Sequence, residues 1–202
     1  SYTYMGDIDS YYWLRQAKNI VERGYNCDVI ENGVCYDTYT LAPNKVRLPK
    51  SIHPFSVYYV YKAIKPFNQD LTLMQAQLIV PTIYAVITAM LVFILVLRIN
   101  GPLAALVSSV LVSVSPIFLS RSLGSDTDVY NVLFPVLIIL FAYISFASEV
   151  WKKKAIFSAI TGLVMGVYSF AWIGWWYLFD FIIIAVLADY FFNMAKDSCK
   201  SW

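Results

Sequence analysis

Two short segments of the chain each carry a pair of aspartates separated by one residue. Asp7 and Asp9 form the first pair, and Asp126 and Asp128 form the second. Paired carboxylates on non-helical backbone present several oxygens to one hard cation, and ligation by oxygen alone suits Mg²⁺ or Mn²⁺. If the two segments meet in space, the pattern predicts a divalent-metal site between them.

Helix capping is a simpler explanation for each pair taken alone. Asp9 could cap a helix, and Asp126 and Asp128 could cap the apolar run that follows them, because carboxylates are favoured at helix N-termini. Asp128 nevertheless stands at the start of a membrane-length run, where a carboxylate normally has a functional partner. The two pairs together therefore favour a shared site.

Three further side chains are candidates for binding a lipid phosphate or a substrate. Arg121 is either a snorkelling arginine, a partner for Asp126, or a phosphate anchor, since guanidinium matches phosphate oxygens bidentately. Trp172 belongs to an aromatic group that is either an interfacial belt or a substrate platform. Asp180 lies just inside the last apolar stretch, where it is either hydrated or in contact with substrate.

The composition is that of a membrane protein. Hydrophobic residues make up 59% of the 202 and charged residues 14%, with a mean hydropathy of +0.61, against about 45–50% and 25% in soluble domains. The net charge is +2 and the sequence has no basic block, which excludes a basic surface of the kind that binds nucleic acid. Three Cys and one His are too few for a Cys/His zinc site or a hydrolase triad.

Charge and apolarity are segregated along the chain. Residues 1–70 carry charges throughout, and we expect them to form an external segment, whereas residues 71–202 form a membrane bundle. A span needs about 20 helical residues. The apolar runs therefore predict an all-α membrane protein with about five spans, at approximately 75–98, 102–120, 128–148, 155–173 and 176–195.

The distribution of basic residues predicts which ends are cytoplasmic. Arg98, Lys152 to Lys154, and Lys196 with Lys200 follow the first, third and fifth spans. The external segment, the loop 121–128 and the turn at Gly174 then share the outer side, which brings both aspartate pairs to one face of the membrane. The chain opens without a leader that could carry residues 1–70 across, so we expect an earlier span upstream.

The external segment itself predicts two amphipathic helices separated by a polar, turn-rich stretch. The first starts at Asp9 or Ser10 and ends at Gly24, and the second starts at Pro54 and ends near Lys65. Residues 25–50 lie between them. Cys27 and Cys35 fall in this stretch, where an oxidising compartment allows a disulfide that the spacing alone leaves open.

Three motifs in this order resemble a known family. The segment GDIDSYYWLRQA (residues 6–17) is similar to the opening of the first external loop of the catalytic subunit of oligosaccharyltransferase. RSLGSDTD (residues 121–128) resembles the second acidic motif of that family, and AWIGW (residues 171–175) resembles its tryptophan-glycine turn. Among the branches, the chain looks most like the archaeal dolichyl-linked oligosaccharide–protein glycosyltransferase.

This resemblance implies a multi-span glycosyltransferase of the GT-C type that transfers a glycan to the asparagine of Asn-x-Ser/Thr in acceptor proteins. The donor would be a dolichyl-phosphate-linked glycan, the mechanism inverting, and the cofactor Mn²⁺ or Mg²⁺. Asp9, Asp126 and Asp128 correspond to metal ligands, with Asp9 also approaching the acceptor amide. Arg121 corresponds to an arginine near the lipid phosphate, although it stands two residues closer to the acids than is usual.

The resemblance also implies that the chain is part of a longer protein. Further spans, a catalytic glutamate in a later external loop and a soluble C-terminal domain would belong to the rest of the parent chain. We therefore expect the N-terminal portion of a multi-pass protein of the cell membrane, with its catalytic side extracellular and no activity in this piece alone.

Two other functions remain open at this point. Another GT-C enzyme that uses a lipid-phosphate sugar, such as an O-mannosyltransferase, would differ in taking a hydroxyl acceptor. An ion-coupled transporter or membrane scaffold would carry ionisable residues near mid-span, whereas the aspartate pairs lie at or outside the predicted span ends.

Overall fold

The predicted external segment starts with a helix that packs against two later helices. The computed structural model describes Met5, residues 8–123 and residues 126–200, excluding the side chains of Leu123 and residues 193–200. The first helix, α1 (Ile8–Arg23), ends at Gly24, whose φ of +83° is favourable only for glycine. The predicted helix is confirmed, although it begins at Ile8, so Asp9 lies in its first turn instead of capping it.

Residues 25–50, predicted as a polar loop, contain a three-stranded antiparallel sheet. Its strands β1 (Val29–Glu31), β2 (Val34–Leu41) and β3 (Asn44–Arg47) pair in chain order, and Cys27 and Cys35 form a disulfide. The prediction of an all-α chain is wrong here. Asn32 and Gly33, both at positive φ, form the tight turn between β1 and β2, and Asn-Gly between apolar runs is a strong hairpin signal.

The second predicted helix and the first span are present. Helix α2 (His53–Ile64) has Pro54 in its first turn, where the missing N–H costs nothing. Helix α3 (Leu73–Asn100) starts at a capping box in which Thr72 and Gln75 bond to each other's backbone N–H groups. These reciprocal bonds explain why the long apolar helix begins at Leu73.

The second predicted span, 102–120, is broken into two helices. Helix α4 (Pro102–Val114) and helix α5 (Pro116–Leu123) differ in direction by 56°. Ser115 between them is extended, because a residue that precedes proline is disfavoured in the α region. The break turns α5 toward the loop that carries the second aspartate pair.

The last three helices follow that loop. A 3-10 turn over Thr127–Val129 leads into α6 (Tyr130–Phe146), which is followed by α7 (Trp151–Tyr168) and α8 (Trp176–Lys200). Within the described residues, α3 and the Thr127–Phe146 helix are long and apolar enough to cross a membrane, and α4 with α5 makes a third candidate. The two further spans, and thus the total of five, remain predictions.

Two apolar clusters hold these elements together. One joins α1, α2 and α3 through Ala17, Val57 and Val80, and the other joins α6, α7 and the start of α8 around Tyr130 and Tyr168. Polar bonds dock the external segment onto the helices as well. The Gln77 side-chain amide of α3 donates to the backbone carbonyl of Ser10 at 2.6 Å, which fixes the N-terminal end of α1.

Candidate functional site

Helix α1 presents Asp9 and Trp13 one turn apart on the same face, because residues four apart in a helix are neighbours. Asp9 is exposed, whereas Trp13 is half-buried. One turn further along, Ala17 is fully buried and contributes to the core with α2 and α3. The packing of Ala17 and the bond from Gln77 to Ser10 therefore set the direction in which Asp9 and Trp13 point.

The loop before α6 meets this face of α1 through Asp126. Its Oδ1 accepts a hydrogen bond from Nε1 of Trp13 at 2.7 Å and another from the backbone N–H of Thr127 at 2.6 Å. The second bond caps the 3-10 turn, so the capping role considered from the sequence is real for Asp126. Capping uses Oδ1 alone, and no donor among the described residues bonds to Oδ2.

Asp9 and Asp126 line one cavity of about 570 Å³. Its walls come from three parts of the chain: the first turns of α1, the second and third strands of the sheet, and the loop before α6. The side chains that bear on its chemistry are those of Asp9, Tyr12, Trp13, Asp37, Thr40, Arg47 and Asp126. The structure thus brings together one carboxylate from each of the two predicted acidic segments, while Asp7 lies outside the described residues.

Asp128 and Arg121 are not in the lining of this cavity. Nη1 of Arg121 lies 3.2 Å from Oδ2 of Asp128, and their side chains are 68% and 31% exposed. From the sequence, Asp126 is a candidate partner of Arg121, and the structure pairs Arg121 with Asp128 instead. Asp126 is already bonded to Trp13, which leaves the next carboxylate of the 3-10 turn to the arginine.

Trp172 and Asp180, the other predicted substrate contacts, do not line the cavity either. The Trp172 ring stacks on Tyr168 and meets Tyr177 edge-on, at centroid distances of 6.3 and 5.8 Å, beside the cluster formed by α6 and α7. Asp180 is exposed on α8. Their proposed contacts with lipid phosphate or substrate are therefore independent of the aspartate cavity.

The sheet contributes residues that the sequence analysis missed. Arg47 of β3 adds a cation to the cavity, and no ion pair joins it to any residue that the structure describes. Asp37 and Thr40 come from β2. Trp13 could have been found from its spacing of one turn after Asp9, but Arg47 depends on the register of β2 against β3, in which Tyr36 opposes it.

The Asp37 carboxylate links the sheet to α1 by hydrogen bonds and an ion pair. Its carboxylate accepts hydrogen bonds from Nη2 of Arg15 at 2.7 Å and from the backbone N–H groups of Tyr39 and Thr40. Burial would raise the pKa of Asp37, but these bonds outweigh it and lower the pKa from 3.8 to about 2. Arg15 also bonds to Asp28, so its guanidinium joins α1 to β2 and to the residue directly before β1.

The carboxylates partly fit a hard divalent cation. Asp9 and Asp126 offer oxygen ligands to one cavity, and Oδ2 of Asp126 carries no hydrogen bond from the described residues. Among the residues that the structure describes, no three His, Cys, Asp or Glu side chains lie close enough together to hold a metal ion. Asp128 is engaged by Arg121, so two of the three predicted carboxylates line the cavity and the third is nearby in sequence.

Comparison with known proteins gives a consistent result over almost the whole chain. The sequence profile described as oligosaccharyl transferase STT3, N-terminal, matches residues 2–200. A protein of Methanococcus voltae named dolichyl-phosphooligosaccharide-protein glycotransferase is 30% identical over 197 residues, which cover 93% of this chain and 21% of that protein. A protein of the same name from Methanocaldococcus jannaschii is 25% identical over 166 residues, covering 76% and 17%. The chain therefore spans about a fifth of the length of these curated relatives, and no solved structure gives a significant match.

Proposed function

Because the chain belongs to the oligosaccharyl transferase STT3 N-terminal family, we propose that it is the portion of a membrane oligosaccharyltransferase that carries two acidic segments of the active site. The whole protein transfers a glycan from a dolichyl-phosphate-type carrier to the asparagine of Asn-x-Ser/Thr in acceptor proteins. The observation that carries this proposal is the cavity shared by Asp9 and Asp126. Family membership favours this function over the transporter and the O-mannosyltransferase considered from the sequence.

The two carboxylates would hold a divalent cation, Mn²⁺ or Mg²⁺, in the cavity, and Asp128 of the adjacent 3-10 turn would be a third ligand. When bound, such a cation supplies Lewis-acid stabilisation of the anionic leaving group. Oδ2 of Asp126 is the oxygen available for this purpose, since Trp13 and Thr127 occupy Oδ1. Asp9, exposed at the cavity, also accepts a hydrogen bond from the side-chain amide of the acceptor asparagine.

Positive charge near the cavity binds the phosphate of the donor. Arg121 has five N–H donors, and its ion pair with Asp128 uses one of its terminal nitrogens. The remaining donors are exposed and match phosphate oxygens in a bidentate arrangement. Arg47 provides a second cation from the wall formed by the sheet. Trp172, at the turn between α7 and α8, and Asp180, on α8, provide further contacts to the lipid phosphate or the substrate.

The protein lies in the cell membrane as a multi-pass protein, and its reaction takes place on the extracellular side. This orientation follows from the basic residues Arg98, Lys152 to Lys154 and Lys196, which we place in the cytoplasm. Labelling of single cysteines in intact cells tests it. A cysteine introduced at exposed Asp70 is then labelled by a membrane-impermeant maleimide, and one introduced at Lys153 is not.

The test of function uses the full-length protein, purified in detergent, with a lipid-linked glycan and a fluorescent Asn-x-Thr peptide. We expect Asp9→Asn and Asp126→Asn each to lower the transfer rate by about 10²-fold or more, because each removes a charge that stabilises the transition state. Asp70→Asn is the matched control, since Asp70 is an exposed aspartate of the same segment outside the cavity. Full transfer by both variants would refute the proposal.

A further inference from the structure

We propose that Trp13 is a positioning residue that orients the Asp126 carboxylate for cation binding, and that His53 and Tyr130 hold the Trp13 ring in place. This inference rests on the proposed function, because it concerns the same cation. It adds a residue that touches neither the cation nor the substrate. Its effect is exerted through the side chain of Asp126.

The bond between Trp13 and Asp126 decides which carboxylate oxygen is available. The indole N–H is a donor only, so it must donate to Oδ1 of Asp126, at 2.7 Å. The backbone N–H and the hydroxyl of Thr127 approach the same oxygen at 2.6 and 3.3 Å. Because these donors hold Oδ1, Oδ2 is the oxygen available to bind the cation. Hydrogen bonds of this kind, from residues that do not themselves bind the metal, generally orient metal-binding carboxylates.

The indole ring is itself held by a buried polar group of side chains. It meets the ring of His53 edge-on at 5.7 Å between centroids, and His53 is fully buried. Nδ1 of His53 lies 3.2 Å from the hydroxyl oxygen of Tyr130, whose O–H donates to Ser56. Tyr84 donates to the same Ser56 hydroxyl at 3.0 Å. Helices α2, α3 and α6 therefore meet beneath Trp13, and the ring has little freedom to turn.

The same bond places Asp9 near Asp126. Four residues of helix advance about 6 Å along the axis, so Asp9 lies one turn from Trp13 on the face that meets the loop. Trp13 and Asp126 are 113 residues apart in sequence. This hydrogen bond thus joins two segments that are distant in the chain and whose carboxylates line the shared cavity.

The experiment replaces Trp13 in the full-length protein and measures Mn²⁺ binding directly, from the electron paramagnetic resonance signal of free aqueous Mn²⁺, without substrates. Trp13→Phe keeps an aromatic ring against His53 but lacks the N–H donor. We expect it to bind Mn²⁺ about 10–100-fold more weakly, the usual effect of losing such a supporting bond. The transfer rate of Trp13→Phe should recover at high Mn²⁺, since the chemical step itself is intact.

Two further variants separate orientation from packing. Trp13→His keeps a ring N–H, so it should retain more Mn²⁺ affinity than Trp13→Phe does. Trp151→Phe is the control, because Trp151 is 76% exposed at the start of α7, outside the cavity. The thermal unfolding of each metal-free variant shows whether a loss of affinity reflects a loss of structure.

The outcomes are distinct. Weaker Mn²⁺ binding by Trp13→Phe with an unchanged unfolding temperature supports the proposal, whereas wild-type affinity in this variant overturns it and leaves the proposed function standing. A variant that loses affinity only in step with its unfolding temperature also overturns it, because packing would then be the role of Trp13. If the wild-type protein itself transfers no glycan, the proposed function fails instead.

Discussion

The guanidinium of Arg121 lies 3.2 Å from the carboxylate of Asp128, and this ion pair joins the end of α5 to the 3-10 turn before α6. The Arg121 side chain is 68% exposed and that of Asp128 31% exposed, and a pair this open to solvent stabilises a protein by about 1 kcal/mol at most. The position of Arg121 beside the acidic loop is therefore better explained by what it binds than by what it stabilises.

We expect Arg121→Gln to raise the KM for the lipid-linked donor by about tenfold or more, because a hydrogen bond to a charged phosphate contributes about 1.5–3 kcal/mol. The unfolding temperature should change little. Steady-state kinetics of the full-length protein measure the first effect, and thermal unfolding measures the second. Arg98→Gln is the control, as Arg98 ends α3 and lies outside the cavity.

An alternative role for Arg121 makes the opposite prediction. If Arg121 only neutralises Asp128, the double variant Arg121→Gln/Asp128→Asn should recover the donor KM of the wild type. A phosphate contact predicts no such recovery, since the double variant still lacks the guanidinium.

The stability of the external segment should fall in acid because of Asp37. Its pKa is about 2 in the folded protein and 3.8 as a reference, so the ionised carboxylate favours the folded state above pH 3.8. This contribution, about 2 kcal/mol, is lost as the pH falls from 3.8 toward 2. Hydrogen exchange of residues 25–50 in the full-length protein should therefore accelerate over that range.

Substitution of Asp37 tests the assignment of this pH dependence. We expect Asp37→Asn to exchange faster than the wild type at neutral pH, because Arg15 loses a charged partner, and to approach the wild type near pH 2. Asp70→Asn should leave both profiles unchanged. An acid-dependent loss of protection that persists in Asp37→Asn would assign the effect to another group.

Loss of the disulfide should loosen the wall of the cavity. The disulfide between Cys27 and Cys35 cross-links the sheet that contributes Thr40 and Arg47 to the lining. Removal of a disulfide typically lowers the free energy of unfolding by about 2–4 kcal/mol. We expect Cys27→Ser/Cys35→Ser to loosen β3, so that trypsin cleaves after the exposed Lys45 more rapidly, and to lower glycan transfer. Cys199→Ser is the control, and equal resistance of both proteins to trypsin would contradict the prediction.

Substitution by alanine should have different effects on the unfolding temperature at Gly174 and at Gly162. A Cβ at Gly174 would overlap the indole ring of Trp172, which is held by Tyr168 and Tyr177. Overpacking of this kind costs about 1–3 kcal/mol, so Gly174→Ala should lower the unfolding temperature. A Cβ at Gly162 on α7 meets nothing within 4 Å, and Gly162→Ala should leave the unfolding temperature unchanged or raise it. A lower unfolding temperature for Gly162→Ala alone would reverse this assignment.

Local structure was largely readable from the sequence, with one omission. The apolar spacing of α1, its end at Gly24 and the proline at the start of α2 were enough to predict both helices. The sheet is the omission: Asn32-Gly33 signals a hairpin, but the abundance of polar and turn residues in 25–50 favours a loop. The break of the second span at Pro116 was also readable in principle.

For the candidate site, the sequence predicts which residue types take part but not which side chains contact each other. The sequence by itself determined that two aspartate-bearing segments flank apolar runs, because helix and span signals depend on residues that are near each other in the chain. The tertiary structure alone decided that Trp13 bonds to Asp126, that Arg121 pairs with Asp128 and that Arg47 joins the cavity wall. Such contacts depend on how helices and strands pack across more than a hundred residues, and no local pattern encodes that packing.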